Sequence, residues 1–368
     1  MSEKKNSDGA AGVPVNKKTR KPTTKKTFSL SDYKKNQGLE DIPNKPLRWI
    51  KCSSALQKAT GLPGFPMGYS SLARGFSNTG KSTAICEAIV ESQKMGILPI
   101  IIDTENNIGK ERLTRMGFDW EGEFIFVDNN FLVEHIARKY DKKRKEASIE
   151  DMANCILHFL DEQEAGTLPR DLLFAIDSLG TLDCIRTINA MEKNTSDNNM
   201  WNAGAFEKSF KYLLNNTIPS SRKANKEYTN TIIGVQKIWI DNMGAGVVKH
   251  KGGETFFYGS RLIYHFGGVA AHSTKKVVAT SKKRDVAYGI ETKVNVGKNQ
   301  IDGPLGGISF EGEIISTPTG FIQKEDVDNY KKENLLFFRN ALEDDSIDAD
   351  DLKTKYESID VDETLEIG

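Results

Sequence analysis

Residues 75–82 read Gly-Phe-Ser-Asn-Thr-Gly-Lys-Ser, a spacing that fits G-x-x-x-x-G-K-[ST] at every fixed position. The residue types suit a triphosphate. Gly75 and Gly80 let the backbone curl, so that the N–H groups along Phe76, Ser77, Asn78 and Thr79 turn toward phosphate oxygens. Lys81 supplies a cation for the β- and γ-phosphates. The Ser82 hydroxyl is placed to coordinate Mg2+, and Thr83 leads into a helix whose N-terminus favours an anion. A glycine-rich turn can match such a pattern by chance. The flanks argue otherwise, because Tyr69 to Ala73 reads as a short strand and Thr83 to Ser92 as a helix. ATP and Mg2+ are the expected cofactors.

Further polar residues fall where they could complete the chemistry. Asp177 ends the apolar run Leu172 to Ile176 and is the expected second metal-site residue, holding Mg2+ directly or through water. Glu105 lies just past the run Ile100 to Asp103, where a parallel sheet would bring it to the phosphate loop to polarise an attacking water. Asn106 and Asn107 follow it, so an acid at a helix N-terminus is the plainer alternative. Gln236 ends Thr231 to Val235 and could sense a γ-phosphate, or be a turn residue. The stretch 237–253 then mixes Lys237, Lys249 and Lys251 with Trp239 and Met243 and closes on Gly252 and Gly253. Cations for phosphates beside apolar groups for bases suit a single strand of nucleic acid, though an ordinary long loop has a similar composition. Asn189 to Met200 is a second polar stretch of this kind.

These residues need a scaffold, and the sequence supplies one. Leu98 to Asp103, Glu123 to Asp128, Leu172 to Asp177 and Thr231 to Gln236 are short, nearly continuous apolar runs, the signature of parallel strands buried on both faces. Ligands bind at the C-terminal ends of such strands. Met152, Ile156, Leu157 and Leu160 share one helical face, as do Trp201, Ala205, Ser209 and Leu213. Val294 and Val296 alternate with polar neighbours, as in a late antiparallel strand. The expected fold class is α/β, a mostly parallel central sheet flanked by helices.

Charge divides the chain. Its 368 residues balance 51 Lys/Arg against 51 Asp/Glu, which excludes a uniformly basic nucleic-acid coat. Residues 1–30 nevertheless carry a net +6, residues 270–300 a net +5, and residues 341–368 a net −9. The expected organisation is a basic, disordered segment over 1–45, a core over 46–330 and an acidic tail over 331–368. Cys52, Cys86, Cys155 and Cys184 are widely spaced with no C-x-x-C, which argues against zinc and disulfides and for a reducing compartment. No apolar run approaches the roughly 20 residues of a membrane span, and the polar N-terminus lacks a secretory pattern. A cytoplasmic protein without membrane partners is expected.

The order of phosphate loop, Asp103-Thr-Glu105, Ile176-Asp-Ser178, Gln236 and a glycine-rich loop ending Gly252-Gly253 resembles RecA-type recombinases. The runs Ile176 to Leu182, Gly252 to Ser260 and Val294 to Lys298 resemble the phage UvsX branch. The resemblance spans about residues 47–325. It implies a RecA-like P-loop ATPase core that forms helical filaments on single-stranded DNA. Such filaments pair with homologous duplex DNA and work with a recombination mediator and a single-stranded DNA-binding protein, in the host cytoplasm if phage-encoded. It further implies that Glu105 is the hydrolytic base and Gln236 the γ-phosphate sensor. Residues 237–253 and 189–200 would be the DNA loops, and Lys298 would reach the neighbouring subunit's ATP. The chain departs from the family in four places. Gln300 stands where a second cation is common. Gly109 and Arg112 stand where bacterial relatives contact adenine, so that Arg112 would stack on the base instead. The stretch Phe131 to Arg170 is longer, and no N-terminal polymerisation segment is recognisable. A ring helicase built on the same core, and a non-catalytic ATP switch, remain alternatives.

Overall fold

The computed structural model describes residues 29–36, 42–193, 200–241, 247–250, 254–267, 275–280 and 285–334. The chain divides into two units, 1–42 and 43–368. The described part of the first is helix α1, Leu30–Asn36, which buries no residue. The Ser29 hydroxyl accepts the Asp32 N–H at 3.3 Å, with Asp32 in the first turn and Lys34 and Lys35 in the last. Capping and dipole-matched charge thus form a helix inside the segment expected to be disordered. The core also begins earlier than residue 46, since Asn44 bridges to Lys223.

In the second unit, β1 (Trp49–Lys51) and β2 (Gly64–Pro66) form a small antiparallel sheet joined through helix α2, Ser54–Thr60. The Ser53 hydroxyl caps α2 by accepting the Leu56 N–H, and Gly61 ends it in the left-handed region. Then follow β3 (Ser70–Gly75), helix α3 (Lys81–Lys94), β4 (Leu98–Asp103), helix α4 (Lys110–Arg115) and β5 (Ile125–Val127). Helix α5 (Ile149–Glu164) crosses to β6 (Leu172–Leu179). Helices α6 (Ile185–Glu192) and α7 (Met200–Tyr212) lead to β7 (Asn230–Asp241) and β8 (Val247–His250). Helix α8 (Thr255–Gly259), β9 (Leu262–Phe266), β10 (Lys275–Thr280), β11 (Asp285–Asn299), β12 (Glu311–Thr317), β13 (Gly320–Ile322) and helix α9 (Val327–Glu333) complete the unit. Helix α9 crosses the expected core boundary at residue 330.

The main sheet runs β13-β12-β11-β9-β3-β7-β6-β4-β5, with β8 added to β7 and β10 to β11. From β9 to β5 every pairing is parallel, and from β9 to β13 antiparallel. The four apolar runs read from the sequence are β4, β5, β6 and β7. Alternate residues on these strands feed two cores. Ala73, Ile101, Ala175, Ile233 and Val235 face α3 and its Ile85 and Ile89. Leu72, Ile100, Ile102, Phe174, Ile176 and Ile232 pack with α5 and α7. Each fully buried Ile, Leu or Phe contributes about 1.5–3 kcal/mol, so both layers hold the strand ends in register.

The helical faces differ in detail from the sequence reading. Leu157 is 38% exposed while Phe159 is buried. In α7 the buried positions are Ala205, Phe206 and Phe210, and Trp201 is 42% exposed beneath the Arg186 guanidinium, 3.3 Å from its ring centroid. A tryptophan covered by a cation need not point into the core. Val294 and Val296 are buried on β11, as the alternation requires.

Candidate nucleotide-binding site

The loop that carries the G-x-x-x-x-G-K-S pattern, the candidate phosphate loop, joins β3 to α3. Asn78 and Gly80 take positive φ, and a Cβ on Gly75 would lie 2.1 Å from the Phe266 carbonyl oxygen. Only glycine fits at 75, because β9 runs immediately alongside. The Thr79 hydroxyl donates to the Phe76 carbonyl at 2.9 Å, closing the loop on itself. Gly80 caps α3 without any side-chain hydrogen bond, so the first N–H groups of a 14-residue helix lack a side-chain partner. Lys81 is buried and donates to the Phe76 carbonyl. Burial lowers its pKa to about 8, against the pull of Asp177. A bound polyphosphate would restore its full charge.

Parallel pairing sets Asp103 of β4 beside Asp177 of β6. Asp177 is 1% exposed, and neither carboxylate oxygen has a hydrogen-bond partner. Burial pushes its pKa up to about 6; the Ser82 hydroxyl is close enough to pull it down but closes no bond. A buried, unpaired carboxylate beside a hydroxyl at the head of a phosphate loop fits Mg2+. That ion takes one or two carboxylates and fills its shell with phosphate oxygens and water. Among the described residues there is no cluster of three or more His, Cys, Asp or Glu that could hold a metal by itself. The Asp177–Ser178 peptide is cis.

The unpaired charge has a cost that can be measured. An ordinary Asp carboxyl titrates near 3.8, so a folded-state value near 6 destabilises the ionised protein by on the order of 3 kcal/mol at neutral pH. The penalty is present above pH 6 and fades as pH falls toward 3.8. Asp177→Asn should therefore gain fold stability in the absence of Mg2+ at pH 7.5, while losing Mg2+-dependent stabilisation by nucleotide. The variant's advantage over wild type should shrink below pH 6. Thermal midpoints with and without Mg2+ and nucleotide, at pH 5.5 and 7.5, check each part.

Glu105 sits in a turn built by Asp103. The Asp103 carboxylate accepts the N–H groups of Glu105 at 3.2 Å, Asn107 at 3.1 Å and Ile108 at 2.8 Å. The Thr104 hydroxyl donates to the Ser178 carbonyl at 3.1 Å and pairs with the Thr181 hydroxyl. Ser178 Oγ donates to Glu105 Oε1. Lys237 Nζ and Asn107 Nδ2 donate to Oε2 at 2.5 and 2.6 Å. Partial burial would raise the Glu105 pKa; the bonds from Lys237, Ser178 and Asn107 outweigh it and hold the carboxyl below its ordinary value. Asp103, Asn107 and Ser178 thus position Glu105, and sequence reading gave them no role. An Asp followed by small polar residues straight after a strand is the Asx-turn signal that marks them.

Lys237 is thereby an ion-pair partner of Glu105 as well as a candidate phosphate contact. The strand does not end at Gln236. β7 continues to Asp241 and pairs with β8, setting Trp239 opposite Lys249. The expected loop is thus partly an antiparallel ribbon, because β8 supplies the hydrogen bonds that β7 would otherwise leave open. Gln236 is fully buried, level with Arg74 of β3, and Lys237 is level with Gly75 at the mouth of the phosphate loop. Trp239 is 42% exposed. Met243, Lys251, Gly252 and Gly253 lie outside the described residues, and Lys249 is described only in its backbone. Asn189 to Glu192 belong to α6 rather than to a loop, and 194–199 lie outside the described residues.

Arg112 of α4 donates to the Thr83 hydroxyl, which pairs at 2.5 Å with Ser316 of β12. Phe321 of β13 packs on the Gly80 side of the same turn. Arg112 therefore lies against the first turn of α3. Lys298 is on β11, level with Ile263 of β9, itself level with Leu72, three residues before Gly75. Its ammonium donates to the Phe257 and Tyr258 carbonyls at 3.1 and 2.9 Å. Burial, and then Arg261, lower its pKa. Gln300 donates its N–H to the Arg261 carbonyl at 2.8 Å. The site residues thus gather at the ends of β3, β4, β6 and β7, with Lys298 apart from them.

A scan against protein-family models finds no match for this sequence, and a search of curated proteins finds none. No described helix is long and apolar enough to cross a membrane.

Proposed function

We propose that this chain is an ATP-dependent recombinase with a RecA-like core, forming helical filaments on single-stranded DNA and pairing them with homologous duplex DNA. One observation carries the reading. Gln236 and Lys237 are consecutive on β7, the strand between the phosphate-loop strand and the Asp177 strand, and β7 runs directly into the β7–β8 ribbon with its exposed Trp239. A single strand therefore links a γ-phosphate neighbourhood to a surface of aromatic and basic sequence suited to nucleic acid.

In this reading the loop N–H groups and Lys81 bind the phosphates. Ser82 and Asp177 would hold Mg2+, which would supply positive charge to offset that of the phosphates. Glu105 takes a proton from water as the water oxygen bonds to the γ-phosphorus. The bond from that phosphorus to the β–γ bridging oxygen breaks, and ADP and phosphate leave. Gln236 reports the γ-phosphate to the ribbon.

The test is ATP hydrolysis with and without oligo(dT), beside electron micrographs with a slowly hydrolysed ATP analogue. Hydrolysis should be low alone and rise with DNA, and filaments should form only with both ligands. Gln236→Ala should lose DNA stimulation on the order of tenfold while binding ATP nearly as well. Closed rings would turn the reading toward a helicase, and hydrolysis indifferent to DNA would remove the recombinase reading.

A further inference from the structure

The ion pair that the described residues form at the site joins a residue of the proposed hydrolytic machinery to the strand that enters the β7–β8 ribbon. Glu105 has both carboxylate oxygens engaged: Oε1 by Ser178, Oε2 by Asn107 and by Lys237 at 2.5 Å. The Glu105 side chain is 9% exposed and that of Lys237 34%. One member of the pair is thus enclosed in the site, and the other is open to solvent.

A carboxylate in this state is a poor general base for two reasons. Three hydrogen bonds take up most of its roughly four acceptor sites, and its pKa is held low, which weakens proton abstraction. The other charged groups around it do not replace Lys237. Lys81 of α3 interacts with it at longer range, and Asp177 of β6 and Asp103 of β4 are like charges. Ser178 and Asn107 are neutral. Lys237 is therefore the one cation among the described residues that binds Glu105 directly.

We propose that the Lys237–Glu105 ion pair is a lock on the base, and that the phosphate backbone of a single strand bound at the β7–β8 ribbon opens it by drawing the Lys237 ammonium away. Lys237 is half-exposed, immediately follows buried Gln236, and lies two residues before Trp239. A phosphodiester near Trp239 offers the ammonium a competing anion at little cost in side-chain movement. Nucleic-acid binding and base activation then share one cation, which makes hydrolysis conditional on the strand. The inference rests on the proposed function and adds a positioning role for Lys237 within it.

The experiment compares wild type, Lys237→Met and Lys237→Arg as full-length chains, with oligo(dT) as the single strand. Lys237→Met should raise DNA-independent ATP hydrolysis at least about fivefold and shrink the remaining stimulation by DNA correspondingly. Its single-turnover rate should also show an acid limb moved to higher pH, because Glu105 loses the ammonium that lowers its pKa. Lys237→Arg keeps a cation and should restore part of the stimulation by DNA. Affinity for a fluorescent ATP analogue, measured in parallel, checks that the variants fold. If Lys237→Met does not bind it, Lys237→Gln carries the same comparison. An unchanged or lowered DNA-independent rate with an unmoved acid limb would overturn the lock while leaving the proposed function in place, provided wild type is stimulated by DNA. A wild type indifferent to DNA would overturn both.

Discussion

Glu105→Gln is expected to bind ATP as wild type does and to hydrolyse it about 10²–10⁴-fold more slowly. The carboxamide keeps one oxygen, so it can accept from Ser178 or from Asn107 but not from both; the turn itself rests on the backbone N–H bonds that Asp103 accepts and should persist. What is lost is the negative charge and the ability to take a proton. The groups proposed to bind phosphate and Mg2+, namely Lys81, the loop N–H groups, Ser82 and Asp177, are untouched. Lys81→Ala should fail differently. It removes a buried cation whose ordinary charge the phosphates would restore, so ATP binding and ATP-dependent DNA binding should both disappear. Equilibrium binding of a fluorescent nucleotide and single-turnover hydrolysis, run on both variants, separate the two failures. Turnover in Glu105→Gln equal to wild type would exclude Glu105 as the base and leave it a turn-stabilising acid.

The parts of this site that the sequence disclosed are those fixed by local chemistry. The phosphate loop is legible because close approach of Phe266 leaves no room for a side chain at Gly75, and Gly80 needs a left-handed backbone. The strands β4, β5, β6 and β7 are legible because burial on both faces removes polar residues until the strand end. Asp103 and Asp177 then stand out as the first acids that close those apolar runs, with Glu105 two residues past Asp103. What escaped was set by partners distant in sequence. Lys237 reads as a nucleic-acid cation until the parallel register sets it beside Gly75 and its ammonium meets Glu105, 132 positions away. The extension of β7 past Gln236 depends on β8, and nothing in Lys237 to Asp241 alone distinguishes a loop from an edge strand awaiting a partner. Of the face expected on α7, Ala205 and Leu213 are buried, but Trp201 is not, because Arg186 covers its ring from outside, and Phe206 and Phe210 meet Phe256 of α8 instead. At the N-terminus, a composition with little apolar surface hid about two capped turns of helix at Leu30–Asn36.

Lys298 should prove decisive for hydrolysis without serving its own nucleotide. It is level with Leu72, three residues before Gly75 on β3 and two strands away. That offset is about 10 Å along the sheet, on the side away from the phosphate loop. In the proposed filament a cation so placed would meet the phosphates of a neighbouring subunit, where it would stabilise charge developing in the transition state. Contributions of this kind reach about 10³–10⁵-fold in rate. Lys298 also donates to the Phe257 and Tyr258 carbonyls of α8, so Lys298→Ala gives up those bonds, worth about 1 kcal/mol each. The two roles separate cleanly. A purely intrachain role predicts a lower thermal midpoint and a modest, proportionate loss of activity. The trans role predicts a loss of DNA-stimulated hydrolysis of about 10³-fold or more, with ATP binding by isolated subunits preserved. Arg261 lies close enough to lower the Lys298 pKa, so Arg261→Ala should deepen the defect if both cations face the neighbouring phosphates. The deciding measurement mixes Lys298→Ala with Lys81→Ala protein. Neither should hydrolyse ATP well alone, but in mixed assemblies some interfaces would join an intact Lys81 on one subunit to an intact Lys298 on the next. Recovery of hydrolysis that peaks at intermediate ratios is the expected result. Absence of recovery at every ratio, with co-assembly shown by labelled subunits, would return Lys298 to an intrachain role at the end of α8.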